Sequence, residues 1–125
     1  YDNVSIGIRT TYTPWNIYYY DEIYDYFQKT FGIDALGIWC DDKPWNDIRY
    51  IPRKVKDSII EKLSKYQNND EMWINQFDEL KKWLPTEPDN YEKLQNSFIE
   101  FNSKIDKIRK EQFDSVFPEY SKLFK

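Results

Sequence analysis

The order of two hydrophobic periods constrains this chain most. Val4, Ile6 and Ile8 alternate with Ser5, Gly7 and Arg9, the period of two that a strand with one apolar face requires. After a polar Thr10–Thr13 stretch, Pro14 biases Thr13 away from helical geometry, so a loop is expected up to Asn16, a fair helix N-cap. Ile17, Tyr20, Ile23, Tyr24, Phe27 and Phe31 then recur at helical spacing, and Gly32 supplies the left-handed residue that ends a helix. Ala35-Leu36-Gly37-Ile38-Trp39-Cys40 is a short apolar run, as in a strand buried on both faces of a parallel sheet. A loop follows, then Pro52, suited to a first helical turn, and a stripe of Val55, Ile59, Ile60, Leu63 and Tyr66. Strand, helix, strand, helix makes two βα units, which close by right-handed crossovers into parallel sheets.

Beyond Asn68-Asn69-Asp70 the pattern is helical only. Trp73, Ile74, Phe77, Leu80 and Leu84 form one stripe, broken by Pro85 and Pro88. Tyr91, Leu94, Phe98, Phe101, Ile105 and Ile108 form the next, and Phe113–Phe117 predicts a short helical turn cut by Pro118. The expected fold is therefore α/β: residues 1–66 as a βαβα portion, with residues 67–125 as a helical extension packed on it, the whole one structural unit. A two-stranded parallel sheet leaves rows of unpaired backbone groups, so neighbouring strands are expected from a missing N-terminal half or from a partner chain at the sheet edge. The start at Tyr1, so close to a strand-like run, carries the same expectation of a fragment.

Composition limits the chemistry. There is no histidine among the 125 residues, so Ser-His and Cys-His dyads are excluded within this chain. One cysteine is too few for an internal disulfide, a structural zinc site or an iron-sulfur cluster. With 18 Lys and Arg against 22 Asp and Glu, the net charge of -4 argues against binding nucleic acid or anionic membranes by bulk charge. No apolar run has the length of a membrane helix and no signal pattern opens the chain, which makes a cytoplasmic location the expectation. The only glycines are Gly7, Gly32 and Gly37, so no phosphate-binding glycine loop is present.

Parallel sheets bind ligands at the carboxyl ends of their strands. Thr10, Thr11, Thr13 and Asn16 follow the first strand, and Cys40, Asp41, Asp42, Trp45 and Asn46 follow the second. These are hydrogen-bonding groups suited to a polar ligand, and equally the residues of ordinary turns and caps. Asp41 and Asp42 read as a cation or acid/base pair, or as turn residues. Tyr18, Tyr19 and Tyr20 point in different directions on a helix and read as packing groups. Arg49, Arg53, Lys54 and Lys56 surround a helix start, as anion ligands or as a solvated face.

The ending Phe98-Ile99-Glu100-Phe101, Ile105-Asp106-Lys107-Ile108-Arg109 and Phe113-Asp114-Ser115-Val116-Phe117-Pro118-Glu119 resembles the closing segment of twitch-domain-containing radical S-adenosylmethionine (radical SAM) proteins. Ile51-Pro52 with Lys56 is similar to the entry of the preceding helix in that family, and Val4–Ile17 to a strand ending in T-x-x-x-x-N. The resemblance covers nearly the whole chain. It implies two βα units of a partial (βα) barrel followed by C-terminal helices. It also implies a [4Fe-4S] cluster on a CxxxCxxC loop that cleaves S-adenosylmethionine to a 5′-deoxyadenosyl radical. That motif is absent here, so the resemblance implies the C-terminal half of such an enzyme, inactive alone, with cluster and S-adenosylmethionine held by the parent protein. Ser5, Arg9, Thr11 and Asn16 would face the barrel interior or mouth, with Thr11 and Asn16 the candidates for contacting cofactor or substrate. The alternative is a stand-alone, non-catalytic protein-interaction module.

Overall fold

The computed structural model describes residues 3–125 as a mixed α/β structure, mostly helical, around one parallel strand pair. Strand β1 (Ile8–Thr11) is followed by a 3-10 turn (Ile17–Tyr19) and helix α1 (Tyr20–Phe31). Strand β2 (Ala35–Ile38), a 3-10 turn (Ile48–Tyr50) and helix α2 (Arg53–Ser64) come next, then α3 (Glu71–Trp83) and the long α4 (Tyr91–Arg109). Two short helices, α5 (Phe113–Val116) and α6 (Pro118–Ser121), precede a final 3-10 turn (Lys122–Phe124).

The strands pair in parallel, with Ile8 opposite Ala35 and Thr11 opposite Ile38, joined by α1. Gly32 ends α1 at φ 65°, as its position at the end of the stripe predicts. The first strand begins later than the sequence pattern places it. Val4 and Ile6 lie exposed ahead of it, at 66% and 71%, while the strand runs through the β-branched polar pair Thr10-Thr11. Asn16 stands at the N-cap position of the 3-10 turn that leads into α1, but without a capping bond. Helix α1 starts four residues later because the 3-10 turn intervenes.

The second strand is not buried on both faces. Paired residues of a parallel sheet share a face and successive residues alternate, so Ile8, Thr10 and Tyr12 share one face with Ala35, Gly37 and Trp39. That face belongs to the core: Tyr12, Ala35, Tyr20, Tyr24, Val55, Ile59, Leu63, Trp73 and Leu80 are buried together, with Ile8 and Trp39 packed against them. Arg9, Thr11, Leu36 and Ile38 lie on the other face, outside the core cluster, with Arg9, Thr11 and Ile38 exposed. Helices cover one side of the sheet, and the apolar run that read as doubly buried pairs a core face with an open one.

The two edges of the pair are unequal. Tyr12 N–H donates to the Ile38 carbonyl, so Thr10 and Tyr12 turn their backbone groups toward β2 while Arg9 and Thr11 turn theirs outward. On β2 the outward residues are Ala35 and Gly37. The Tyr20 hydroxyl donates to the Ala35 carbonyl at 2.8 Å, and the Gly37 N–H donates to Gln76 Oε1 on α3 at 3.0 Å. Trp39 packs at a tilt against Trp83 of the same helix, ring centroids 5.2 Å apart. Thus α3 lies along the outer edge of β2 and substitutes side-chain groups for a third strand, one of the ways proteins close a sheet edge.

The C-terminal helices bury fewer of their stripes than the periodicity predicts. Trp73, Leu80 and Leu84 are buried but Ile74 is 45% exposed, and on α4 Tyr91 and Phe98 are buried while Ile108 is 76% exposed. The Tyr91 hydroxyl fastens the start of α4 to the Ile51 carbonyl at 2.8 Å. Both ends of α4 carry left-handed residues, Asn90 (φ 61°) and Lys110 (φ 54°). No described helix is long and apolar enough to cross a membrane.

Candidate functional site

The loops at the carboxyl ends of β1 and β2 are shaped by local hydrogen bonds and by α4. Asn16 Oδ1 accepts the Thr13 N–H at 2.9 Å and its Nδ2 donates to the Thr11 carbonyl at 2.8 Å, so the carboxamide ties the loop back onto the strand. Thr11 is exposed on the open face beside Arg9. The structure therefore brings Thr11 and Asn16 together, Asn16 gripping the Thr11 backbone while the Thr11 side chain stays accessible.

The loop after β2 is organised around Asp42. Its Oδ1 accepts from Cys40 Sγ at 3.1 Å and from Asn46 Nδ2 at 3.3 Å. These bonds hold the Asp42 carboxyl below its ordinary range, and the same carboxylate pushes the Cys40 thiol up. Cys40 is thus held as a protonated donor, the reverse of an activated nucleophile. Asp41 and Asp42 are both exposed. Trp45 from this loop stacks on Phe101 of α4 (centroids 4.7 Å apart), and Trp15 from the loop after β1 packs against Phe98 of the same helix (5.8 Å). A cavity of about 430 Å³ between Trp15, Phe101, Ile105, Phe113 and Phe117 lies where these pieces meet.

Of the four cations around the start of α2, Arg53 and Lys56 meet over the Tyr91 ring, 5.2 and 4.9 Å from its centroid, while Arg49 and Lys54 turn elsewhere. Arg49 forks onto Asp47 (Nη2–Oδ2 2.6 Å) and lies over the Trp83 ring, and the buried Asp47 also caps the 3-10 turn through the Arg49 N–H. Arg53 pairs with Glu87, and Lys54 is exposed. Lys56 is buried, 4.9 Å from the Tyr91 ring centroid with Nζ donating to the Thr86 carbonyl at 3.3 Å. Burial lowers its pKa to about 8. Tyr18, Tyr19 and Tyr20 pack as their divergent directions predict: Tyr18 stacks on Tyr120, Tyr19 meets Phe117, and Tyr20 enters the core against Tyr12 and Trp73.

Two polar arrangements carry no sequence signature. Gln76 Oε1 accepts from both Gly37 N–H and the Tyr12 hydroxyl, the latter at 3.2 Å. Tyr24 Oη lies 3.1 Å from Asp34 Oδ1 and 3.0 Å from Asp70 Oδ2, and Gln28 Nε2 donates to the same Asp70 oxygen at 2.6 Å. Both join residues distant in sequence, so no local pattern announces them.

No protein-family model, curated protein or solved structure matches this chain.

Proposed function

We propose that this chain is the C-terminal part of a radical SAM enzyme, in which β1 and β2 form a stretch of barrel wall and α3–α6 close its end. The observation that carries the reading is the one-faced strand pair. Helices lie on the side of Tyr12 and Ala35, while Arg9, Thr11, Leu36 and Ile38 lie on a bare side. A βα barrel has this layering, with helices outside and one strand face turned inward. The family-like ending described above supports the same assignment.

On this reading the chain supplies inner-wall and mouth residues and the parent supplies the cluster. Cys40 does not fit as a cluster ligand set: it is one thiol, protonated and donating to Asp42. The contribution of these residues is positional. Arg9 and Thr11 line the inward face, and Asn16 fixes the turn at the rim by holding Thr11 and Thr13.

The test uses the natural polypeptide that contains this chain, reconstituted anaerobically with iron and sulfide. The expected result is a CxxxCxxC-bound cluster and reductive cleavage of S-adenosylmethionine to methionine and 5′-deoxyadenosine. A polypeptide without that motif, or one that binds no cluster and releases no 5′-deoxyadenosine, overturns the proposal and favours the interaction-module reading.

A further inference from the structure

We infer that the outer edge of β1 is the docking edge for a further parallel strand, supplied by polypeptide upstream of this chain, and that β2 is the terminal strand of the completed sheet. The inference deepens the barrel-wall reading and rests on it for the upstream source, but the edge itself is argued from hydrogen bonds.

On β2, two of the four outward backbone groups, the Ala35 carbonyl and the Gly37 N–H, are already taken by Tyr20 and Gln76, and the Trp39–Trp83 contact sets α3 against that edge. On β1, the Thr11 carbonyl is taken by Asn16, at the loop end of the strand. The Arg9 N–H, the Arg9 carbonyl and the Thr11 N–H face outward with no partner among the described residues. Two donors and one acceptor at this spacing match a parallel strand, whose evenly spaced bonds engage both backbone groups of alternate residues. Ahead of them Val4 and Ile6 continue the apolar alternation but stand exposed, as residues do when the surface they pack against is absent.

Handedness selects the source. Strand–helix–strand crossovers are right-handed almost without exception. With its helix on the same face as α1, each successive unit must therefore advance in the direction from β1 to β2. A preceding unit then arrives at the free side of β1 and runs parallel to it. A second copy of this chain would instead pair its β1 by a two-fold axis, which makes the strands antiparallel.

Hydrogen exchange tests this directly, comparing the 125-residue chain with the polypeptide extended upstream in its natural reading frame. Extension should slow exchange at the Arg9 and Thr11 amides on the order of 100-fold, the change expected when open edge amides join a ladder. The Gly37 amide, already held by Gln76, should barely change. As a second measurement, Arg9→Pro should leave the circular dichroism of the 125-residue chain intact but destabilise the extended one. An initiator Met immediately before Tyr1, an unchanged Arg9 amide in the extended protein, or protection in the extended protein that appears only as its concentration rises would each overturn the inference, the last by identifying a second copy as the occupant. Iron content and 5′-deoxyadenosine release are read separately, so a protected edge without cluster chemistry would retain the docking edge and reject only the radical SAM assignment.

Discussion

The phenol ring of Tyr12 lies across Gly37, so that a Cβ built on Gly37 would overlap the ring and its hydroxyl. Gly37 is needed for space, since its φ is not in the left-handed region. Gly37→Ala would displace a fully buried tyrosine that also packs against Tyr20 and Trp39. The expected cost is about 1–3 kcal/mol, the range of overpacked cores, measured by chemical denaturation. Tyr12→Leu in the same background should recover part of the loss, and an undiminished midpoint for the single variant would contradict the packing described.

Gln76→Met removes the acceptor for Gly37 N–H and Tyr12 Oη together. Leaving buried donors unpaired costs about 1–3 kcal/mol each, partly relieved here because Tyr12 can turn its proton. The variant should also open the second sheet edge. Sedimentation should then show larger and more concentration-dependent species than the parent chain gives.

Lys56 sets a pH dependence on the alkaline side. Burial lowers its pKa from an ordinary 10.5 to about 8, so between those values the unfolded chain binds more protons than the fold. Stability attributable to Lys56 therefore rises as pH climbs from about 8 towards 10.5, and the charging penalty is fully present below 8. Lys56→Met should be more stable than the parent at pH 7, with the difference shrinking at pH 10. Raised tyrosine pKa values act oppositely near pH 10, which is why the comparison of the two proteins is the readout.

Asp70 contributes on the acid side. Its Oδ1 caps α3 by accepting the Met72 N–H, the main reason its carboxyl stays below the ordinary range, with Tyr24 and Gln28 adding to it. The carboxylate's contribution is present above the unfolded value and is lost as pH falls through the folded one, below about 3.8. Asp70→Ala should cost about 1–2 kcal/mol at neutral pH for the lost cap and flatten the acid limb. Asp70→Asn should keep most of the cap. Equal losses in the two variants would place the effect elsewhere.

The order of strands and helices is legible in the sequence because it rests on period alone. Gly32 and the Val55, Ile59, Leu63 stripe act through local backbone and one helix face, and both stand where the pattern puts them. The first strand is misregistered because Val4 and Ile6 have strand character without a surface to bury against, whereas Thr10 and Thr11 are held by pairing with β2. Ile108 fits the stripe of α4 yet points past the last packed turn, since Phe113 and Phe124 fill the space beside Phe98 instead. At the strand ends, Asn16 is identifiable as a turn residue, but its grip on Thr11 needs the three-dimensional turn. Gln76, mid-helix and 39 residues from Gly37, has no local signature.

The closed edge of β2 also limits how many molecules can join. A sheet with two open edges behaves like a bifunctional monomer and grows without end, whereas one with Gln76 and Tyr20 on one side is monofunctional. Two such chains can meet at their β1 edges, and then no reactive end is left. With one edge filled in this way and the other open, the chain is chemically an end group, disposed to stop at pairs.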